Sequence, residues 1–409
     1  MKAKVSIIIP SYNRYPLNLF TLRALERQSF KLSEMEVILI DDASTDATPL
    51  LADYMDKAPF AFRYVRHSVN VGRSAARNAG IRMAGAPVII GLDAEIIVGP
   101  DFVRHHYRHH QDVRPAVVIG DKREKLYSTL FRELNSSQVA ELAALYERSP
   151  LARRKIRKRL EMSNQQPASD IATHLQRLKE PKKLLQPERL LATLAELSVP
   201  SEHTDHQFAQ VGSQFKRLFA PWLLFGSNHS FPKQLAESVG GFDEKFSGWG
   251  LEDIEFAYRL HQAGAQFKLD RKLSRYHQEH PILQGRQSER LQNIIYFQEK
   301  FPNMAGCVKS LSLLKGPGIA YYDRLIGEYD SLGRMSGRSF DLFRSALILM
   351  IQCIPHLYKK KENVRNLLHR TGFTAGSQQL EKLVQERTML AAHGRHPELV
   401  RLFDELTGY

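Results

Sequence analysis

Two acidic residues lie two positions apart at the end of an apolar segment. Asp93 is the last residue of VIIGLD, and Glu95 follows it after Ala94. Carboxylate oxygens are hard ligands that suit Mg²⁺ or Mn²⁺, ions that proteins often share with the phosphates of a substrate. An extended backbone would place both side chains on one face, because side chains alternate along a strand. The pair therefore predicts a site for Mn²⁺ or Mg²⁺, and the alternative is an ordinary turn or helix cap.

Two further apolar segments end in polar residues. Val5–Pro10 leads into Ser11, Tyr12, Asn13 and Arg14, and Glu36–Asp41 leads into Asp42. Ligands of an open parallel sheet bind outside the carboxyl ends of its strands. We therefore expect these two loops and the Asp93 loop to converge on one crevice, where Asp42 accepts a hydrogen bond from a base N–H or a ribose hydroxyl.

A glycine-containing turn, NVGRSAARNAG, precedes a predicted helix. The N-terminus of a helix favours phosphate, since its backbone N–H groups and its dipole both attract anions. Arg73 and Arg77 lie one turn apart and would add charge-assisted contacts. The segment indicates a phosphate site, and the alternative is a turn without a ligand.

A second group of chemically capable residues lies in FDEKFSGWGLEDIEFAYRLHQ. Trp249 lies between two glycines and would offer a flat apolar face to a sugar ring. Glu252 and Asp253 begin a predicted helix that ends at Gly264. One of the two acids would take a proton from an acceptor hydroxyl; the alternative is that both only complement the helix dipole.

The segment YHQEHP contains two histidines. His277 is a candidate metal ligand and His280 a poorer one. A single histidine in an unknown context is more often structural.

The order of apolar segments and helical patterns predicts the fold. Val5–Pro10, Glu36–Asp41 and Val88–Asp93 alternate with helical patterns over Pro16–Gln28, Thr48–Met55 and Ser74–Ala84. Alternating strands and helices predict a doubly wound, mostly parallel α/β sheet.

The regions outside this sheet are predicted to be helical. Residues 122–205 are polar and favour helix, with few strand signals. A cluster of Arg and Lys between Arg148 and Arg159 is expected to be a solvated helix face or a contact to a polyanion or a membrane surface. Four helices are expected after residue 290, namely Leu291–Phe301, Phe340–Tyr358, Gln378–Ala392 and Pro397–Leu406.

Composition limits the partners and the compartment. A net charge of +14 implies an anionic partner or surface. Only Cys307 and Cys353 are present, which is typical of a reducing cytosol. No apolar run approaches the roughly 20 residues that span a bilayer. The longest apolar run, Ala346–Ile354, is expected to be a packed helix, with a helix on the membrane surface as the alternative. We expect a cytoplasmic protein, with peripheral contact to the inner membrane surface left open.

Six quoted segments in one order resemble a known family. SIIIPSYNR, VILIDDASTDAT, NVGRSAARNAGI and GLDAEIIVGPDF, followed by GSNHSFPKQLAESVGGFDEKFSGWGLEDIEFAYRL and YHQEH, resemble the inverting glycosyltransferases of family 2. Within that family they are most similar to the branch with chondroitin-polymerase and galactosyltransferase-like domains. The resemblance covers roughly residues 4–110 and 220–282. No resemblance is identified over residues 122–205 and 290–409.

The resemblance implies the GT-A fold, a Rossmann-like, doubly wound and mostly parallel sheet, with a helical insertion and a C-terminal helical region. It divides the chain into residues 1–121, the half that binds the nucleotide sugar, and 206–289, the half that binds the acceptor. The basic helical insertion is then 122–205 and the C-terminal helical region 290–409.

The resemblance also implies a role for individual residues. The donor UDP-sugar would be bound by Pro10, Tyr12, Arg14, Asp42, Arg77 and Asp93. The metal, Mn²⁺ or Mg²⁺, would be bound by Asp93, Glu95 and His277, with Glu95 in place of the second aspartate of the family's Asp-x-Asp motif. Asp253 would be the catalytic base, Glu252 would assist it and bind acceptor hydroxyls, and Trp249 would contact the acceptor. The acceptor would be a saccharide, a lipid-linked saccharide or a peptide.

Three alternatives remain open at this point. A nucleotidyltransferase could use a similar sheet, although that chemistry has less need of the second acidic loop at Glu252 and Asp253. A basic, non-catalytic polyanion-binding protein would explain the net charge of +14. Nucleic acid is not expected as a partner, because the basic cluster has no interleaved aromatics and no nucleic-acid module is present. A transferase that binds donor without turnover would explain the replacement by Glu95.

Overall fold

The computed structural model describes residues 2–120, 123–201, 208, 211–226, 228–282, 284–314, 318–335 and 339–408. The chain divides into two compact units. The first consists of residues 1–208, 225–244 and 256–284, and the second of residues 209–224, 245–255 and 285–409. The predicted boundaries at 121/122 and 205/206 lie outside the described residues, and the boundary at 289/290 stays a prediction.

A mostly parallel sheet forms the centre of the first unit. Within the described residues it has seven strands, in the order β12-β6-β11-β4-β1-β2-β3. Their bounds are β1 Val5–Ser11, β2 Met35–Asp41, β3 Ala61–Arg66, β4 Val88–Leu92, β6 Ala116–Gly120, β11 Asn228–Pro232 and β12 Gln266–Asp270. Strand β11 pairs antiparallel with β4 and β6, and the other pairs are parallel. The predicted class, a doubly wound and mostly parallel α/β sheet, is confirmed.

The three predicted strands are buried because helices cover a parallel sheet on both faces. All seven residues of β2 are buried, and the side chains of β1 and β4 are nearly so. Strand β3 was not predicted, and its residues are half-buried or exposed. A strand at the edge of a sheet has fewer neighbours, so its apolar pattern is weaker.

The helices of the first unit are mostly short. Their bounds are Leu17–Leu25, Arg73–Met83, Phe102–Arg108, Ser136–Arg148, Pro150–Leu160, Ile171–Gln176, Leu194–Leu197 and Lys233–Ser238. The helix Glu252–Gln262 begins at the two predicted acids and is followed by Gly264, which has a φ of +84°. The predicted helix at Thr48–Met55 is a 3₁₀ helix over Thr48–Tyr54.

The region 122–205 is not purely helical. It contributes β7 Arg123–Leu126, β8 Thr129–Leu130, β9 Lys182–Lys183 and β10 Ser198–Pro200. Strands β10, β7, β13 (Arg275–Gln278) and β5 (Ile96–Val98) form a second sheet, while β8 and β9 pair with each other. The sequence carries few strand signals here because strands of two to four residues are too short to show an alternating pattern.

The basic run at 148–159 is only partly a solvated face. The guanidinium groups of Arg153 and Arg157 lie over the ring of Tyr146, at 5.5 and 5.4 Å from its centroid. Lys155 donates to the carbonyl oxygen of Leu184 at 2.8 Å. These cations therefore hold the helix Pro150–Leu160 against its neighbours.

The second unit is helical in its described part. Its longer helices are Arg286–Lys300, Ile319–Arg334, Asp341–Lys360, Gln378–His393 and Pro397–Thr407, with short helices at Met304–Cys307 and Val308–Leu313. The four predicted helices are confirmed, and Ile319–Arg334 was not predicted. The apolar run Ala346–Ile354 lies within Asp341–Lys360 and is mostly buried, as a packed helix requires. Among the described residues, no helix combines the length and the apolar character needed to cross a membrane.

Candidate functional site

The loops that follow β1 and β2 are joined by hydrogen bonds. Ser11 and Asp41 lie opposite each other at the carboxyl ends of the two strands. The Oδ1 atom of Asn13 accepts from the backbone N–H groups of Thr45 and Asp46, at 2.7 and 3.2 Å. Because the strands are parallel, both loops leave the sheet at the same edge, as the sequence predicts.

The loop after β4 joins the same group. Arg14 donates from Nε to Oε2 of Glu95 at 3.2 Å, and it also contacts the carbonyl oxygen of Tyr12 at 3.3 Å. The hydroxyl of Thr21 donates to the carbonyl oxygen of Ala94 at 2.7 Å. The predicted convergence of the three strand-end loops is therefore confirmed.

The two acids of the third loop do not lie on one extended strand. Strand β4 ends at Leu92, and the N–H of Ile96 donates to the carbonyl oxygen of Asp93 at 3.1 Å. A turn therefore separates Asp93 from Glu95, and the expectation of an extended backbone was wrong. Oδ1 of Asp93 instead accepts from Arg77 at 3.1 Å. A metal contact of Asp93 stays a prediction.

Three residues form a candidate metal centre. Among the described residues, one ligand atom each of Glu95, His277 and His280 lies within 4.8 Å of the other two. Two imidazoles and a carboxylate suit a divalent transition metal. His277 was the favoured histidine of the sequence analysis, and His280 was the less favoured one.

Strand pairing explains how residues so distant in sequence meet. Strand β13 lies between β5 and β7, and its His277 is paired with Ile96. The backbone N–H of Gln278 donates to the carbonyl oxygen of Glu95 at 2.9 Å. The backbone of β13 is thus fixed directly against the residue that carries the carboxylate.

Both histidines are oriented through Nδ1. Nδ1 of His277 lies 3.0 Å from Oε1 of Glu279, and Nδ1 of His280 lies 2.9 Å from the carbonyl oxygen of Pro281. A metal-binding histidine usually donates its other ring N–H to a carboxylate or a carbonyl in this way. Nε2 of His280 lies 3.5 Å from Oε1 of Glu95. The residues present therefore fit a metal bound through the two Nε2 atoms and the carboxylate.

The charge state of Glu95 also fits a metal ligand. Burial favours its protonated form, but the Arg14 guanidinium, followed by His280 and His277, outweighs burial and holds the pKa of the Glu95 carboxyl well below its ordinary value. Glu95 is therefore a carboxylate at neutral pH, which is the form that a cation binds.

Gln138 supports the candidate metal centre from the insertion. Its Nε2 donates to Oε2 of Glu279 at 3.1 Å and to the carbonyl oxygen of His280 at 2.9 Å. It is the third residue of the helix Ser136–Arg148, where its side chain and that of Asn135 form a capping box. Gln138 was not predicted as a site residue, because a capping glutamine carries no signal for a contact that is 141 positions away in the sequence.

Replacing Gln138 by leucine is expected to weaken Mn²⁺ binding by about tenfold, since loss of an outer partner of a metal ligand typically has an effect of this size. Titration calorimetry with Mn²⁺ measures the affinity, and thermal unfolding without metal measures any loss of the helix cap. The matched control is Gln176→Leu, at an exposed position of the same region. Equal affinities of the Gln138 variant and the wild type would contradict the supporting role.

Asp42 holds the turn that precedes the helix Arg73–Met83. Its two carboxylate oxygens accept from the backbone N–H groups of Val71 and Gly72, at 3.0 and 2.8 Å, and Nδ1 of His67 lies 2.8 Å away. Gly72 has a φ of +92°, which a residue with a side chain rarely adopts. Asp42 is thus already engaged in ordering the loop, and its contact to a nucleotide stays a prediction.

The remaining predicted donor residues lie around the same strand ends. Arg77 is buried, and its guanidinium lies 5.1 Å from the centroid of the Phe242 ring while it contacts Asp93. Pro10 is half-buried at the end of β1, and Tyr12 is 40% exposed just beyond it. An exposed aromatic ring here is available for stacking, and the donor contacts of these residues stay predictions.

The tryptophan loop of the second unit has an unusual backbone. Gly248, Gly250 and Leu251 have φ values of +69°, +108° and +73°. The backbone N–H of Trp249 donates to Oε2 of Glu289 at 2.9 Å. Trp249 is 38% exposed, and the guanidinium group of Arg286 lies over its ring, 5.6 Å from the centroid. Its contact to an acceptor stays a prediction.

The two acids after this loop lie in the first turn of the helix Glu252–Gln262. Glu252 is buried, and its Oε2 accepts from the N–H of Gly250 at 3.0 Å. Glu252 therefore helps to hold the glycine turn. Asp253 is half-buried beside it. The predicted roles of Asp253 as base and of Glu252 in acceptor binding stay predictions.

The fold and the geometry define a class of protein: an α/β protein with a candidate metal centre beside the carboxyl ends of its parallel strands. Residues 6–172 match the model of glycosyl transferase family 2, and residues 206–281 match that of the N-terminal domain of galactosyltransferase. The first match covers about two fifths of the chain and extends to residue 172, beyond the predicted limit near residue 110. The predicted resemblance to glycosyltransferase family 2 is thus confirmed over residues 6–172, within the α/β fold class that the sequence predicts.

Similar proteins include named glycosyltransferases and a synthase. Validoxylamine A glucosyltransferase of Streptomyces hygroscopicus subsp. jinggangensis is 29% identical over 271 residues, which are 66% of this chain and 54% of the relative. Hyaluronan synthase of Pasteurella multocida is 29% identical over 288 residues, which are 70% of this chain and 25% of that protein. The chain thus spans about half the length of the glucosyltransferase. A solved structure of S. aureus TarS 1-349 in complex with UDP-GlcNAc is 14% identical, with a TM-score of 0.46 over 96% of this chain and 92% of that chain.

Proposed function

We propose that this chain is an inverting, metal-dependent glycosyltransferase that moves a hexosyl or N-acetylhexosaminyl group from a UDP-sugar to an acceptor. The acceptor nucleophile is a hydroxyl group of a saccharide, of a lipid-linked saccharide or of a peptide. The observation that carries the proposal is the Glu95–His277–His280 cluster beside the strand-end loops of a domain that matches glycosyl transferase family 2. The names of the relatives, a glucosyltransferase and a hyaluronan synthase, support a sugar as the transferred group.

The ligand set favours Mn²⁺ over Mg²⁺. Mg²⁺ prefers oxygen ligands and keeps several waters, whereas imidazole nitrogen is accepted by transition metals. Glu95, His277 and His280 would hold the ion, and Glu279 and Gln138 would orient the histidines. The bound cation would supply positive charge to the diphosphate of the donor.

The departing diphosphate needs further positive charge. Arg77 is buried beside Asp93, and a buried guanidinium in a low dielectric stabilises developing negative charge more strongly than one in water. In the proposed reaction the bond between the anomeric carbon and the diphosphate oxygen breaks, and its electron pair leaves with UDP. Arg77 stabilises the charge that UDP then carries.

The incoming hydroxyl needs a base. Asp253 takes its proton while the hydroxyl oxygen forms the new bond to the anomeric carbon, on the face opposite the departing UDP. A single displacement of this kind inverts the configuration and leaves no covalent sugar–enzyme intermediate. Trp249 contacts the acceptor ring, and Glu252 binds an acceptor hydroxyl in addition to ordering the loop.

Release of nucleoside diphosphate from a panel of nucleotide sugars tests the proposal. We expect UDP release from at least one UDP-sugar, stimulated by acceptor saccharides, dependent on Mn²⁺ and weaker with Mg²⁺. EDTA should abolish the release and added Mn²⁺ should restore it. If no donor is cleaved or bound under these conditions, the proposed function is wrong.

A further inference from the structure

The tryptophan loop rests on the helix Arg286–Lys300. Asn293 donates from Nδ2 to the carbonyl oxygens of Ser247 and Gly250, at 2.9 and 2.8 Å. A side chain at Gly250 would meet the Cγ atom of Arg290 at 3.5 Å, so the loop backbone lies directly against this arginine. The surface beside Trp249 is therefore built in part by a helix outside the residues that match the family.

The side chain of Arg290 contacts the segment that carries a second cation, Lys309. Its guanidinium donates to the Oγ of Ser312 at 2.7 Å, and this hydroxyl in turn donates to the carbonyl oxygen of Lys309. Nζ of Lys309 lies 5.7 Å from the centroid of the Tyr322 ring. The Ser312 hydroxyl thus joins the Arg290 guanidinium to the backbone of Lys309, and both cationic residues are half-buried.

The two positive charges are not compensated. Within the described ranges of the chain, neither Arg290 nor Lys309 makes an ion pair with an acid. Burial, and then the positive charge of Arg290, lower the pKa of Lys309 to about 8. Repulsion between two neighbouring positive charges lowers the stability of the folded state. A bound anion would remove this loss of stability.

Resting on the proposed function, we propose that Arg290 and Lys309 bind an anionic group of the acceptor, a carboxylate or a phosphate, beside the sugar ring that contacts Trp249. An arginine presents a planar fork of donors that matches either anion, and a lysine adds a point charge. One anion between them removes the repulsion between the two cations. The site selects charged acceptor saccharides over neutral ones.

Direct binding tests this site without relying on turnover. The probes are inorganic phosphate, methyl glucuronide and the neutral methyl glucoside, titrated into the full chain at constant ionic strength. We expect the double variant Arg290→Gln/Lys309→Gln to bind at least one of the two anions about tenfold more weakly than the wild type, with little change for the neutral glycoside. Loss for phosphate alone identifies a phosphate site, and loss for the glucuronide alone identifies a carboxylate site.

The controls separate this site from folding and from catalysis. Arg365→Gln and Lys360→Gln change exposed cations of the same unit and should leave all three affinities unchanged. Lys309→Gln should unfold at a temperature equal to or above that of the wild type, because it removes a repulsion. Unchanged anion affinities in the double variant would overturn the inference, even if donor cleavage is intact. Anion binding that the double variant loses would support the site, even if no donor is cleaved.

Discussion

Asparagine in place of Asp253 is expected to lower turnover by about 100- to 10,000-fold, the usual range for the loss of a general base. This corresponds to about 3 to 5 kcal/mol in the activation free energy. The amide has the shape of the carboxylate but cannot take the proton of the acceptor hydroxyl. Affinity for the UDP-sugar should stay near the wild-type value, since Asp253 has no assigned contact to the donor.

Single-turnover transfer assays measure the chemical step, and calorimetry with the UDP-sugar measures donor binding. Asp341→Asn is the matched control, because Asp341 also lies in the first turn of a helix, Asp341–Lys360. Both changes weaken the favourable interaction with the helix dipole by a similar amount, about 0.3 to 1 kcal/mol. Wild-type turnover of the Asp253 variant would refute the assignment of the base.

Alanine in place of either His277 or His280 is expected to weaken Mn²⁺ binding by about 100-fold or more, because loss of a ligand should exceed the tenfold to 100-fold effect of losing an outer partner. Similar losses are expected for the two variants, since both imidazoles lie in the same cluster with Glu95. The sequence ranks His277 above His280 as a metal ligand, whereas the cluster contains both histidines. Equal losses of Mn²⁺ affinity would support two equivalent histidine ligands.

Mn²⁺ titration calorimetry and the Mn²⁺ dependence of UDP release provide two independent measures for these variants. His369→Ala is the control, because His369 is exposed in the second unit and outside the cluster. Excess Mn²⁺ should restore part of the activity if folding is intact. An His280 variant with wild-type Mn²⁺ affinity would remove His280 from the ligand set, and the same result for both variants would contradict the metal centre.

Local pattern alone was sufficient for three strands of the sheet and for the loops that follow them. Val5–Pro10, Glu36–Asp41 and Val88–Asp93 are nearly continuous apolar runs, which buried parallel strands require. The polar residues after each run had to meet, because parallel strands place their carboxyl ends at one edge of the sheet. The edge strand Ala61–Arg66 escaped prediction, since its exposed residues leave only a weak pattern.

The side-chain contacts within the site could not be predicted from the local sequence pattern. The turn between Asp93 and Glu95 follows from where β4 ends, and Arg77 then takes the carboxylate of Asp93. The carboxylate oxygens of Asp42 similarly accept hydrogen bonds from the backbone of Val71 and Gly72. This arrangement depends on the path of a loop about 30 residues further along the chain.

By itself the sequence determined which residue types stand at the strand ends, and hence the fold class and the kind of chemistry, because both depend on local periodicity and on neighbours in the chain. Only the tertiary structure decided that His280 joins Glu95 and His277 in one cluster, and that Gln138 of the insertion donates hydrogen bonds to Glu279 and His280. Those contacts join residues brought together by the pairing of β13 with β5 and β7, and strand pairing between distant segments leaves no signal in either segment alone.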